Sequence, residues 1–242
     1  MENAIKWSEK QRSCAWIAIS FARKDLNLAI SPCIASAFVL LHKYYNDPSH
    51  KDEPLYLLLV SSLFLSCKIE ETYRSMKLIF AALSKCITTI SKKITLDGAK
   101  KIFGDRDFTV PELSSYEMRE IALCEIHLLN SIEWNMNIDL PFNHFNNAKP
   151  AFESLAQNEN LNPRFEAVLR DLCLIMKNEK YLQIPPPVSA AVSIQHCFAE
   201  TTLPKTTSDW IEQLENQYPD EFEIAFQIIE KEGPKCVPIS IS

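Results

Sequence analysis

Glycine is nearly absent, with 3 residues in a chain of 242. Few glycines leave few positions for positive-φ turns and tight hairpins, which argues against a sheet-rich fold. They also rule out a GxGxxG or GxxxxGK phosphate-binding loop. No apolar run reaches the roughly 18 residues of a membrane-spanning helix. The first ten residues, MENAIKWSEK, lack the apolar core of a secretory signal. The 8 cysteines include no CxxC pair, and most lie among apolar neighbours, as reduced thiols in an intracellular protein do. The 5 histidines include no HxxxH pair, so neither a metal nor a cofactor is expected. No GxSxG or Cys/His signature marks a nucleophile, and no catalytic residue is expected. The net charge of −6 argues against a general nucleic-acid binder.

What the chain does have is apolar residues, at 47%, and 14 prolines. Its length allows one large core or two smaller ones of about 100 residues each. Helix-start signals recur. Ser8 with Gln11 and Ser114 with Glu117 fit capping boxes, for helices to about Lys24 and over 115–134. Ser31-Pro32 sets an N-cap and a first-turn proline before a helix to about Tyr45. Pro54 opens a helix over 55–71, and a fourth helix covers 75–86. Pro141 and Pro150 bound another after a linker at 135–141. Asn162-Pro163 and the run Pro185-Pro186-Pro187 precede two more, followed by helices near 207–216 and 219–232. No segment alternates with period 2. The expectation is an all-α fold with about five helices on each side of the linker. A weak internal echo, Val60-Ser61-Ser62 and Val188-Ser189-Ala190, supports two repeats.

Two charges stand where the apolar pattern does not ask for them. Helix 55–71 is apolar on all sides, so other helices must wrap it, yet it carries Lys68 near its end, one turn after Phe64. The lysine stem can lie on apolar surface while its ammonium reaches outward. On 118–132, Met118, Ile121, Ala122, Leu128, Leu129 and Ile132 form one arc, with Glu125 in its middle. A lone carboxylate there costs several kcal/mol unless it is paired. Either the two charges pair with each other, or Lys68 pairs with Glu71, or both flank an apolar patch and bond the backbone of a bound protein.

The residues around these charges resemble the cyclin family. SLFLSCKIEE, 62–71, resembles the central helix of a first cyclin box. LCEIHLLNSIEWNMNIDLPFNHF, 123–145, resembles the fifth helix and the linker to the second box. PPPVSAAVSIQHC, 185–197, resembles the proline-started central helix of that second box. The resemblance implies tandem five-helix boxes at 8–136 and 137–232, with a short tail at 233–242. Within the family, the transcriptional branch is most similar, cyclin C of the Mediator kinase module above all. DWIEQLENQYPDEFEIAFQIIE, 209–230, and YEMREIALCEIHLL, 116–129, carry that likeness. The chain also stops soon after the second box, as compact transcriptional cyclins do.

The resemblance implies a regulatory subunit rather than an enzyme, one that binds and activates a cyclin-dependent kinase. Lys68 and Glu125 match the family's lysine and glutamate that hydrogen-bond kinase backbone. Leu65, Ile69, Leu129 and Met136 match apolar positions that hold the kinase helix, and Glu71 belongs to the same signature. Further transcription-complex subunits and a nuclear location are implied; a membrane or nucleic acid is not. The competing expectation is a cyclin-fold scaffold of the general-transcription-factor type, which binds DNA or another transcription factor and no kinase. It calls for a basic face, against the net −6.

Other features are weaker. QRSCAWIAI, 11–19, lacks the methionine of the docking patch that cell-cycle cyclins carry. Arg23-Lys24-Asp25-Leu26 fits an R-x-x-L motif only formally. Residues 85–106 hold six cations against two acids, net +4, and read as a solvated connection. The four tryptophans read as core, and His127 as a surface residue opposite Glu125.

Overall fold

The computed structural model describes residues 7–50, 52–94, 96–110, 112–152 and 160–232. Among these every regular element is helical. In chain order they are α1 (Glu9–Leu26), α2 (Ala35–Asn46), α3 (Leu55–Ile69), α4 (Met76–Ser91), α5 (Leu96–Phe103) and α6 (Ser115–Ser131). Then follow α7 (Pro141–Ala148), α8 (Asn162–Lys177), α9 (Pro186–Cys197), α10 (Lys205–Gln217) and α11 (Pro219–Glu232). Contacts divide the chain into two units, between Ile138 and Asp139. The expected tail at 233–242 lies outside the described residues.

The first unit is built around α3, which touches α1, α2, α4, α5 and α6. Its apolar side chains from Leu55 to Leu63 are all buried. Each buried leucine contributes roughly 2 kcal/mol in removal from water, as an upper figure. Ser61, Ser62 and Ser66 are fully buried too, and their small side chains let neighbouring helices come close. The hydroxyls are bonded: Ser61 Oγ donates to the Ile121 carbonyl at 2.9 Å, and Ser66 Oγ to the Cys33 carbonyl at 2.5 Å. Both capping boxes form, Ser8 with Gln11 on α1 and Ser114 with Glu117 on α6. The N-cap expected at Ser31 differs: Ser31 is extended (φ −106°, ψ 131°) inside a wide helical turn at Ile30–Ile34, and α2 follows that turn from Ala35 with Ile34 at its N-cap and no side-chain cap bond.

The second unit has its own central helix, α9, which touches α7, α8, α10 and α11. Val188, Ala190, Ala191, Val192 and Ile194 are fully buried. Prolines stand in the first turns of α7, α8 and α9, where a missing N–H costs nothing.

The connection at 85–106 differs from expectation. It contains α5, a sixth helix before the linker, whose Ala99, Ile102 and Phe103 are buried at helical spacing while Lys100 and Lys101 face water. Among the described residues, three of its cations are paired: Lys85 with Asp25 and Lys100 with Asp105 at the surface, each at 2.8 Å, and Arg106 with Glu117 in a largely buried pair. After α5 the chain turns on Gly104 at φ +106°, where a Cβ would meet Pro54 Cβ at 2.9 Å.

Arg106 organises the next loop. Its guanidinium donates to the carbonyls of Asp107, Val110 and Glu112 at 2.7–3.0 Å, and lies over the Phe80 ring at 4.4 Å. Burial alone would raise the Glu117 carboxyl. The bonds from Arg106 and Ser114 outweigh burial and hold its pKa below the usual carboxylate value. The pair therefore ties the loop to the N-terminus of α6.

Removing Arg106 strands a largely buried carboxylate. Arg106→Ala is expected to lower the unfolding free energy by roughly 3 kcal/mol, read by denaturant titration. A depressed carboxyl contributes stability above its unfolded pKa, about 4.3 for glutamate, and loses it as pH falls through the lower folded value. Glu117→Gln should flatten that acid limb; an equally steep limb in the variant would contradict the assignment.

Candidate interaction surface around Lys68 and Glu125

The close approach of α3 and α6 sets this surface. Ser61 bonds the Ile121 carbonyl, and Ile121, Cys124 and Leu128 turn into the core. Glu125, one turn after Ile121, then falls at the edge of the interface, beside the end of α3. There Lys68 Nζ donates to Glu125 Oε1. The same ammonium stands 4.2 Å from the centre of the Phe64 ring, a cation–π contact made possible by their one-turn spacing. Lys68 also occupies the last turn of α3, where positive charge complements the helix dipole.

The two awkward charges thus pair with each other. Glu71 is not the partner: it sits exposed just past the helix at φ +52°. The Lys68 side chain is 42% exposed and that of Glu125 15%. A pair this open contributes at most about 1 kcal/mol.

The turn after α3 is well anchored. Ser36 Oγ donates to Glu70 Oε1 at 2.5 Å, so the first glutamate of the EE pair holds α2. Cys33 Sγ and Thr72 Oγ1 lie 2.8 Å apart. Arg74 donates to the carbonyls of Leu26 and Asn27 at 2.7 and 3.1 Å, closing the end of α1.

The apolar residues expected on this surface separate into layers. Ile69 and Leu129 are half-buried next to the ion pair. Leu65 differs: at 2% exposure it belongs to the core and supports the surface from beneath. Met136 is 54% exposed, beyond the end of α6. The apolar arc on α6 is also rotated from expectation. Ala122 is exposed and Cys124 buried, because α3 packs on the 121/124/128 face.

Trp134 was expected in the core and is instead 57% exposed. Glu133 and Trp134 both take left-handed backbone, φ +52° and +60°, and the Trp134 N–H bonds the Leu129 carbonyl at 2.9 Å. Neither is a residue type that announces such a turn. Its indole N–H donates to Asn130 Oδ1 at 2.9 Å, which holds the ring against the end of α6. Trp7 and Trp16 are buried as expected, while Trp210 is half-buried. His127 is half-buried, 3.4 Å from Glu53, rather than a free surface residue.

A family model described as the cyclin N-terminal domain matches residues 1–137. The chain belongs to the cyclin family. The matched span of this cyclin includes both Lys68 and Glu125. No curated protein matches the chain. Cyclins are regulatory rather than catalytic proteins, and they act through protein partners, typically a kinase.

The ion pair is too exposed to hold the first unit together. A double-mutant cycle on Lys68→Ala and Glu125→Ala should give a coupling below about 1 kcal/mol, with helical circular dichroism intact. A coupling of several kcal/mol would make the pair a structural element of the core.

Proposed function

We propose that this cyclin is the regulatory subunit of a cyclin-dependent serine/threonine kinase. It binds through the surface around Lys68 and Glu125 and presses the kinase C-helix inward, so that the kinase's Lys–Glu pair and magnesium site assemble. The observation that supports this is a half-exposed ion pair beside half-buried Ile69 and Leu129. Such a pair contributes little to the fold, and its chemistry suits an interface. An ammonium has three donors and a carboxylate two oxygens. The Lys68–Glu125 bond uses one of each and leaves the rest to meet kinase backbone. Ile69, Leu129 and the exposed Met136 offer apolar anchors, with Leu65 as support, in the manner of helix-in-groove recognition. Glu71 adds a carboxylate at the rim.

The finer reading is a cyclin of the transcriptional branch, of the cyclin C type, acting in the nucleus within a Mediator kinase module. It rests on 116–129 and 209–230, the stretches that resemble cyclin C. The unit that begins at Asp139 is read as the second cyclin box, a contact for further transcription-complex subunits.

Lys68→Glu or Glu125→Lys should abolish co-purification of the kinase while the free protein keeps its helical circular dichroism. Wild-type binding by both variants would reject this surface. Affinity purification from the native source should recover a nuclear kinase that needs this chain for activity, together with Mediator subunits. A kinase recovered without them would reject the cyclin C reading alone.

A further inference from the structure

In the second unit three donor atoms from two helices meet. Asp171, on α8, is fully buried, and His196 and Cys197 end α9. His196 Nδ1 lies 2.7 Å from Asp171 Oδ2, and Cys197 Sγ lies 3.2 Å from the same oxygen. The three donor atoms are all within 4.8 Å of one another. The other carboxylate oxygen, Oδ1, is buried and accepts no hydrogen bond; Arg170 Nε stands 3.5 Å from it. Oδ1 thus faces the Arg170 guanidinium, and the carboxylate oxygen available to a cation beside His196 and Cys197 is Oδ2.

We propose that Asp171, His196 and Cys197 form a binding site for a zinc-like divalent cation, with one oxygen, one nitrogen and one sulfur ligand and a fourth position open to water. Zinc accepts all three donor types, with bonds of about 2.0–2.2 Å to N and O and about 2.3 Å to S. Those lengths set tetrahedral edges of roughly 3.3–3.6 Å, so the two edges at Asp171 Oδ2, now 2.7 and 3.2 Å, must open by about half an ångström, while the His196–Cys197 edge lies within 4.8 Å, a side-chain adjustment. His196 and Cys197 are partly exposed, which leaves a path from solvent. The Phe226 ring stands edge-on to the imidazole at 6.1 Å between centroids and limits its tilt.

Charge is consistent with this. Binding of the cation removes the Cys197 thiol proton: the S–H bond breaks, an S–metal bond forms, and one proton leaves to solvent. Carboxylate, thiolate and divalent cation then sum to zero, which Arg170 and Arg164, the latter donating to the Cys197 carbonyl at 3.1 Å, can sit beside.

The test is a Co²⁺ titration of the full chain after stripping with a chelator; it involves no kinase. One equivalent should bind, with the visible bands of four-coordinate cobalt and a near-ultraviolet sulfur-to-cobalt band. Cys197→Ser should lose the sulfur band, and His196→Ala should weaken binding on the order of tenfold or more. Cys86→Ser, at a half-buried thiol of the first unit, should change neither. Failure of the wild-type chain to bind Co²⁺, or a sulfur band that survives in folded Cys197→Ser, overturns the site.

Discussion

A helix with no polar face has to be surrounded, and α3 imposes that constraint on the first unit. Five helices lie against it. Its buried serines matter as much as its leucines. They remove bulk where neighbours cross, and they bring their own hydrogen-bond partners, the carbonyls of Ile121 and Cys33. Because Ser61 fixes the depth of α6, it also fixes where Glu125 stands. The position of the surface is therefore a consequence of how the core is packed.

Lys68 and Glu125 answer a physical requirement without supplying much stability. Each charge satisfies the other, yet the lysine remains nearly half exposed. Evolution of a more stable core would favour apolar groups at such sites. The contrast with Arg106 and Glu117 is instructive: those side chains are about one-tenth exposed, and their bonds hold a loop, a helix cap and an aromatic ring in one network.

Much of the fold was legible because helix starts are local. Capping boxes at Ser8 and Ser114, and prolines at 54, 141, 163 and 185–187, act within one turn of themselves, so sequence and structure agree there. The helix α5 differs from the expected solvated connection: six cations over 85–106 give the segment a charged, loop-like composition, although 99, 102 and 103 carry the apolar spacing of a helix. The exposure of Trp134 and the burial of Leu65 have a different origin. Whether an apolar side chain lies in the core or on the surface depends on the crossing of α3 with α6 and on two left-handed residues, and no local pattern encodes either.

The sequence by itself determined the all-helical class, the places where most helices begin and the need of two charges for partners. These follow from propensity, capping and apolar period, which act over a few residues. Only the tertiary structure decided which partners met. Lys68 finds Glu125 across 57 positions, and Ser61 finds the Ile121 carbonyl across 60. Asp171, His196 and Cys197 gather across about 25, with no spacing motif to announce them. Such contacts depend on which faces of two packed helices oppose each other, a choice made by the whole core and not by any one segment.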